Sequence, residues 1–150
     1  MERRKFLGFG IVAAAAALVP GTLSAEDYRK TKPDVWTSHT MEDAITKMYG
    51  TATTIEQGVT LTAPDVAANG GAVPVDFSSE IAAKSVAVFQ SSNPEAAVCA
   101  FTLNEFSVID YSIKIKLKQS GTIIVVVEGQ DGKLYSAKKS LNVALGGCEG

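Results

Sequence analysis

Beyond Gly50 the apolar residues recur at every second position, the period of a half-buried strand, where a helix would repeat every 3.6 residues. Tyr111, Ile113, Ile115 and Leu117 define one face of a segment whose other face carries Ser112, Lys114, Lys116 and Lys118. Val59 and Leu61 alternate with threonines, and the runs Lys84–Gln90, Ala96–Leu103 and Leu134–Leu145 read as further strands. Asn69-Gly70-Gly71 marks a turn before Ala72–Phe77, where Pro74 points to an edge strand. Asp131-Gly132 is a hairpin signal. The run Ile123–Val127 is apolar on both faces, which predicts a central strand with two covers: a second sheet, and either a further element of the chain or a partner protein. One helical stretch precedes the strands. Met41, Ala44, Ile45 and Met48 share a face, Thr40 with Asp43 forms a weakened capping box, and Gly50 supplies the stop, predicting a helix over 41–49. About six to eight short strands joined by Gly, Pro and Asn turns predict a mostly β chain, an immunoglobulin-like β-sandwich with one short N-terminal helix.

The ends of the chain differ from this middle. Residues 1–25 pass from a basic start, Arg3-Arg4-Lys5, through the apolar run Ile11–Pro20 to small residues ending at Ala25. That order describes an export signal, and the paired arginines resemble the twin-arginine kind, so a periplasmic address is expected. The apolar stretch is too short for a membrane span of ~20 residues, and no membrane anchor is expected. Residues 26–39, charged and aperiodic, read as an extended leader, residues 40–145 as the helix and sandwich domain, and residues 146–150 as a flexible arm.

Loss of the signal removes Glu2, Arg3, Arg4 and Lys5, so the whole-chain balance of 14 basic to 16 acidic residues becomes slightly more acidic. Nothing in this suggests nucleic-acid binding. His39 is the only histidine and there are two cysteines, so no zinc-type ligand set, Ser-His-Asp arrangement or Cys-x-x-Cys redox centre is expected, and no cofactor. The lysine stripe Lys114, Lys116, Lys118 reads first as a solvated face that protects a strand edge, and second as a means of steering an anion.

The cysteines have different surroundings. Alternation places Cys99 with Ala97, Phe101 and Leu103 on the more apolar face of its strand, as a small buried hydrophobe. Cys148 follows Gly146-Gly147, precedes Glu149 and Gly150, and lies beyond the last apolar residue, Leu145. A Cys99–Cys148 disulfide is one reading in an oxidising compartment. The other is a free thiol on a thin arm. Glu149 and the terminal carboxylate disfavour a thiolate, and no Lys, Arg or His follows Lys139, so the sulfur would be activated inside other proteins.

These features together resemble the SoxY family, the sulfur-carrier subunit of the periplasmic thiosulfate-oxidising Sox system. The resemblance rests on the paired-arginine start, the Thr40–Gly50 helix, the stretch Val59–Phe77, the Asn93–Leu103 strand, Asp131–Ala137 and the terminal Gly146-Gly147-Cys148. Family members end in Gly-Gly-Cys-Gly-Gly, and here Glu149 stands where the first trailing glycine is expected. The resemblance implies a non-catalytic carrier with thiosulfate-derived intermediates attached at Cys148. It implies a heterodimer with a SoxZ-like β-sandwich subunit. It also implies service by a haem-containing conjugating enzyme, a dimanganese hydrolase that releases sulfate, and a sulfane-oxidising enzyme. The alternative of a different class is an exported interaction module whose terminal cysteine is structural or dimerising.

Overall fold

A computed structural model describes residues 25–144, and within them the chain forms two β-sheets and a helical layer. The helical elements are α1 (Tyr28–Thr31), a 3-10 turn (Pro33–Thr37) and α2 (Met41–Tyr49). The strands are β1 (Val59–Thr62), β2 (Val66–Ala67), β3 (Val73–Ser79), β4 (Ala83–Gln90), β5 (Ala97–Thr102), β6 (Ile109–Ile115), β7 (Gly121–Gly129) and β8 (Leu134–Val143). Strands β1-β3-β6 make a three-stranded sheet, and β2-β8-β7-β4-β5 a five-stranded one. No helix among the described residues is long and apolar enough to cross a membrane.

Alternation decides which side chains meet. Val73, Val75 and Phe77 of β3 face Val86 and Val88 of β4 and Ile123, Val125 and Val127 of β7, forming the core between the sheets. Tyr111 extends this core toward the open side, stacked between Phe77 at 5.4 Å and Phe101 at 4.7 Å between ring centroids. The intervening residues of the large sheet, Ala87, Phe89, Ile124 and Val126, point the other way, into a second core. Its cover comes from Val35 of the 3-10 turn and Ala44, Ile45 and Met48 of α2. Burying Ile45 and Met48 contributes roughly 1.5–3 kcal/mol each. The second cover of Ile123–Val127, which the sequence leaves open between the chain itself and a partner, therefore belongs to the chain.

Helix α2 has the expected bounds. Thr40 Oγ1 accepts from Asp43 N at 3.1 Å, and Gly50 ends the helix in the left-handed region at φ 84°, its N–H donating to Thr46 O. The expectation of an extended leader is corrected. Asp27 caps α1 by accepting from Arg29 N, and Pro33 opens the 3-10 turn, so the segment is helical where it was read as extended. Trp36 Nε1 donates to Tyr28 O and its ring lies 4.4 Å beneath the Arg29 guanidinium, while Lys32 Nζ donates to Met48 O. These local contacts fold a segment that has too few apolar residues to show a period. Pro74 is corrected as well: β3 is the central strand of its sheet. β1 pairs only with Asp76–Ser79, so at Pro74 the strand has a neighbour on one side alone, where a missing N–H is tolerated.

Candidate functional site

The chain leaves the sandwich at the end of β8, and several hydrogen bonds hold that exit. Two-residue β2 pairs in parallel with Asn142 and Val143. Asn142 N donates to Asp65 O at 2.9 Å, Ala144 N to Ala67 O at 3.0 Å, and Val143 N to Ser120 Oγ at 2.9 Å. Lys139 Nζ pairs with the Asp65 carboxylate, which holds that carboxyl below its usual range. Pro64 and the Asn69 side chain, which accepts from Gly71 N at 2.8 Å, turn the chain on either side of β2. Sequence reasoning missed this anchor, because two residues between turns are too few to show alternation. The residues of the expected arm, Gly146, Gly147, Cys148, Glu149 and Gly150, lie outside the described residues, as does the expected export signal up to residue 24.

What the exit brings near the end of β8 is a pair of lysines, Lys116 and Lys118, that the linear sequence places far from it. Ser120, the acceptor of Val143 N–H, is two residues from Lys118, within ~7 Å of chain. Lys118 N donates to Asn93 Oδ1 and Asn93 Nδ2 to Lys116 O, so Lys116 and Lys118 sit on a hydrogen-bonded corner at this end of the sandwich. Both are exposed, as is Lys114, and no ion pair joins the three to an acid among the described residues.

Cys99 is a free, half-buried thiol on the edge strand β5. The expected grouping of its face needs correction. Val88 pairs with Cys99 but Phe89 with Ala97, so Val98 is the extra residue of a β-bulge. Cys99, Phe101 and Leu103 pack against the core between the sheets, whereas Ala97 and Ala100 pack on the helical side. Desolvation pushes the Cys99 thiol up to about 11, with a backbone hydrogen bond at Val88 opposing. A raised thiol pKa means a neutral, unreactive group below that value. Alkylation at pH 8 should therefore leave Cys99 unmodified in the native protein and label it fully in denaturant, as read by peptide mass spectrometry. Labelling at equal rates in both states would contradict this placement.

Register also weighs on the disulfide reading. Cys99 is level with Val88, Val125 and Ala137, three strand spacings from β8. From Ala137 to Ala144 the chain runs a further ~23 Å, so Ala144 and Cys99 are separated by about 27 Å. Four residues of extended chain span at most ~14 Å, and a disulfide needs Cα atoms within ~7 Å. The tail of an intact sandwich is too short for a bridge between Cys148 and Cys99.

His39, the remaining candidate, is exposed, and its Nδ1 lies 2.8 Å from Pro94 O, so that nitrogen carries the proton and donates. No group of three or more His, Cys, Asp or Glu among the described residues could hold a metal ion.

Comparison with known proteins agrees with this architecture. A family model described as sulfur oxidation protein SoxY matches residues 45–148, from within α2 through Cys148. The solved sulfur carrier protein SoxY from Chlorobium limicola f thiosulfatophilum is 26% identical, with a TM-score of 0.63 over 73% of this chain and 96% of that one. A superoxide reductase (neelaredoxin) from Ignicoccus hospitalis, 16% identical, gives a TM-score of 0.52 over 59% of this chain and 81% of that one, a likeness of fold alone. No curated protein matches the sequence. With the family match running from the covering helix to the terminal cysteine, the chain belongs to the SoxY family of sulfur oxidation proteins.

Proposed function

We propose that this protein is a periplasmic sulfur carrier, exported by residues 1–25, that holds thiosulfate-derived intermediates covalently on Cys148 while partner enzymes act on them. The observation that carries the reading is the family match, which reaches Cys148 through a tail rooted by β2 and Ser120. A rigid root with a short glycine-rich extension lets one thiol enter several active sites in turn, and covalent attachment keeps the intermediate at high effective concentration. Oxidative conjugation joins the Cys148 sulfur to the sulfane sulfur of thiosulfate, with loss of the thiol proton and two electrons to the haem-containing partner. Hydrolysis then releases sulfate and leaves a persulfide on the arm for the sulfane-oxidising enzyme. A SoxZ-like subunit completes the carrier. The chain itself catalyses none of these steps: Cys99 is held neutral by burial, and His39 is engaged with a backbone carbonyl. Lys116 and Lys118, exposed near the root and paired with no acid among the described residues, favour an anionic cargo.

Mass spectrometry of the natively purified protein tests the proposal. Sulfur adducts, thiosulfonate or persulfide, are expected on the peptide containing Cys148 and absent from that containing Cys99. Adducts on neither cysteine after exposure to thiosulfate and the conjugating enzyme would refute it.

A further inference from the structure

At the end of the sandwich away from the exit of β8 stand the two most exposed large apolar side chains of the described residues, Phe106 at 85% and Val108 at 74%. Their exposure is built into a turn closed by its own hydrogen bonds. Phe106 N and the Ser107 hydroxyl donate to Asn104 Oδ1 at 2.9 and 3.0 Å, and Asn104 N donates to Ser107 Oγ at 2.9 Å. Val108 and Glu80 line two clefts here, of about 610 and 490 Å³; Asp110 borders the first and Glu105 the second. Neither cleft is lined by a lysine, arginine or histidine. Glu80, Glu105 and Asp110 are all exposed, and no ion pair among the described residues engages them. An apolar pair among unpaired acids fits an occupant that is both apolar and basic.

Two segments of the chain lie outside the described residues, and distance selects between them. Thr102, Ser85, Glu128 and Leu134 are level across the large sheet, at the near border of this end. Ala144 lies ten residues beyond Leu134, about 33 Å along the sandwich. The six residues that follow it span at most ~21 Å, so the C-terminal segment cannot reach. The N-terminal segment departs from beside the patch. Glu26 and Tyr28 border a third cleft with Leu103 and Gln130, and Leu103 and Gln130 also line the cleft that holds Glu105 and Val108. Even as a helix, the 21 residues from Lys5 to Glu26 span about 32 Å. That is enough to cross an end made by two sheets packed ~10 Å apart.

Residues 1–24 also have the matching chemistry. Arg3, Arg4 and Lys5 supply three cations for three acids, and Phe6, Leu7 and Phe9 open the apolar run. We propose that in the uncleaved chain this segment docks on its own folded domain, Arg3, Arg4 and Lys5 against Glu80, Glu105 and Asp110, and the apolar run against Phe106 and Val108. Glu80 comes from the β3–β4 turn, Glu105 from the β5–β6 connection and Asp110 from β6, so only the folded domain offers the site. Docking shields the apolar run of a folded precursor from water, and removal of the segment leaves this end bare. The inference rests on reading residues 1–25 as a removable export signal.

Hydrogen exchange of the intact chain, compared with a chain beginning at Glu26, tests it; both carry Cys148→Ser so that no cross-link forms. Amides of residues 103–110 should exchange about tenfold more slowly in the intact chain, the factor for a tethered site nine-tenths occupied, and equally so at every protein concentration. Glu80→Lys, Glu105→Lys and Asp110→Lys together should abolish the difference, and adding Arg3→Glu, Arg4→Glu and Lys5→Glu should restore it. Phe106→Ser, which leaves the hydrogen bonds of the turn in place, should reduce it. Equal exchange in the two chains overturns the proposal. So does protection that survives the charge reversal, or that grows with protein concentration, the sign of a second copy. Export is read separately, as loss of processing in Arg3→Lys with Arg4→Lys, so a failure of docking and a failure of the export reading are distinguishable.

Discussion

Cys148→Ser is expected to reduce thiosulfate-dependent turnover in a reconstituted system to the level seen with no carrier, while unfolding curves of mutant and wild type coincide. The two halves of the result have separate causes. A serine hydroxyl forms no sulfur–sulfur bond, so neither the conjugate nor the persulfide has a place to form, and the loss should be complete. Stability should change by less than ~0.5 kcal/mol, because the residue lies past Ala144, the last hydrogen-bonded anchor of β8 among the described residues. Cys99→Ala is the control. It removes a half-buried thiol that burial holds neutral, and should leave turnover unchanged at some cost in stability. Turnover that survived Cys148→Ser would end the carrier reading, and turnover lost with Cys99→Ala at full folding would move the chemistry to β5.

Phe89→Ala should be the most destabilising of the large-to-small core changes on the helical side. Phe89 is fully buried in β4 and faces away from the second sheet, toward Val35 and the inner face of α2. Truncation leaves a cavity between the sheet and a helical layer that cannot collapse freely, because α2 is capped at Thr40 and Gly50 and tied at its end by Lys32. A loss of about 3–5 kcal/mol is expected, and a fall in Tm of roughly 10–20 °C. Chemical denaturation with one cooperative transition measures it. A loss below ~1 kcal/mol would mean that the helical layer contributes little and that the outer face of the large sheet relies on another molecule for its cover.

That second test touches the point at which sequence and structure part company. The strands were legible where a two-residue period is kept: Tyr111 to Leu117 displays its inner and outer faces residue by residue, and Asp131-Gly132 marks a hairpin. The helix over 41–49 was legible for the same local reason, with a cap, a face and a stop within ten residues. The buried strand β7 was legible as buried and no further, since a segment apolar on both faces says that two covers exist without saying what they are. The helical leader hid because Asp27, Pro33 and Trp36 act through single contacts, which leave no period. At β5 one bulged residue, Val98, shifted the phase and separated Ala97 from the face of Cys99.

For the site, the order of dependence reverses. The sequence by itself singled out Cys148 as the candidate carrier thiol: a cysteine between two glycines and an acid after a β-rich stretch is a local pattern that needs no fold to be read. Only the tertiary structure decided what surrounds its root. Ser120, Asp65 and Ala67 are 23 or more residues from the β8 positions they anchor, and Lys118 approaches through the same contacts. It also decided that Cys99 is out of reach, because distance across a sheet depends on strand order, and the order β8-β7-β4-β5 is not written in the sequence that joins them. Periodicity reports on neighbours along the chain. Pairing brings together residues with no sequence relation, and the surroundings of the tail's root are set by pairing.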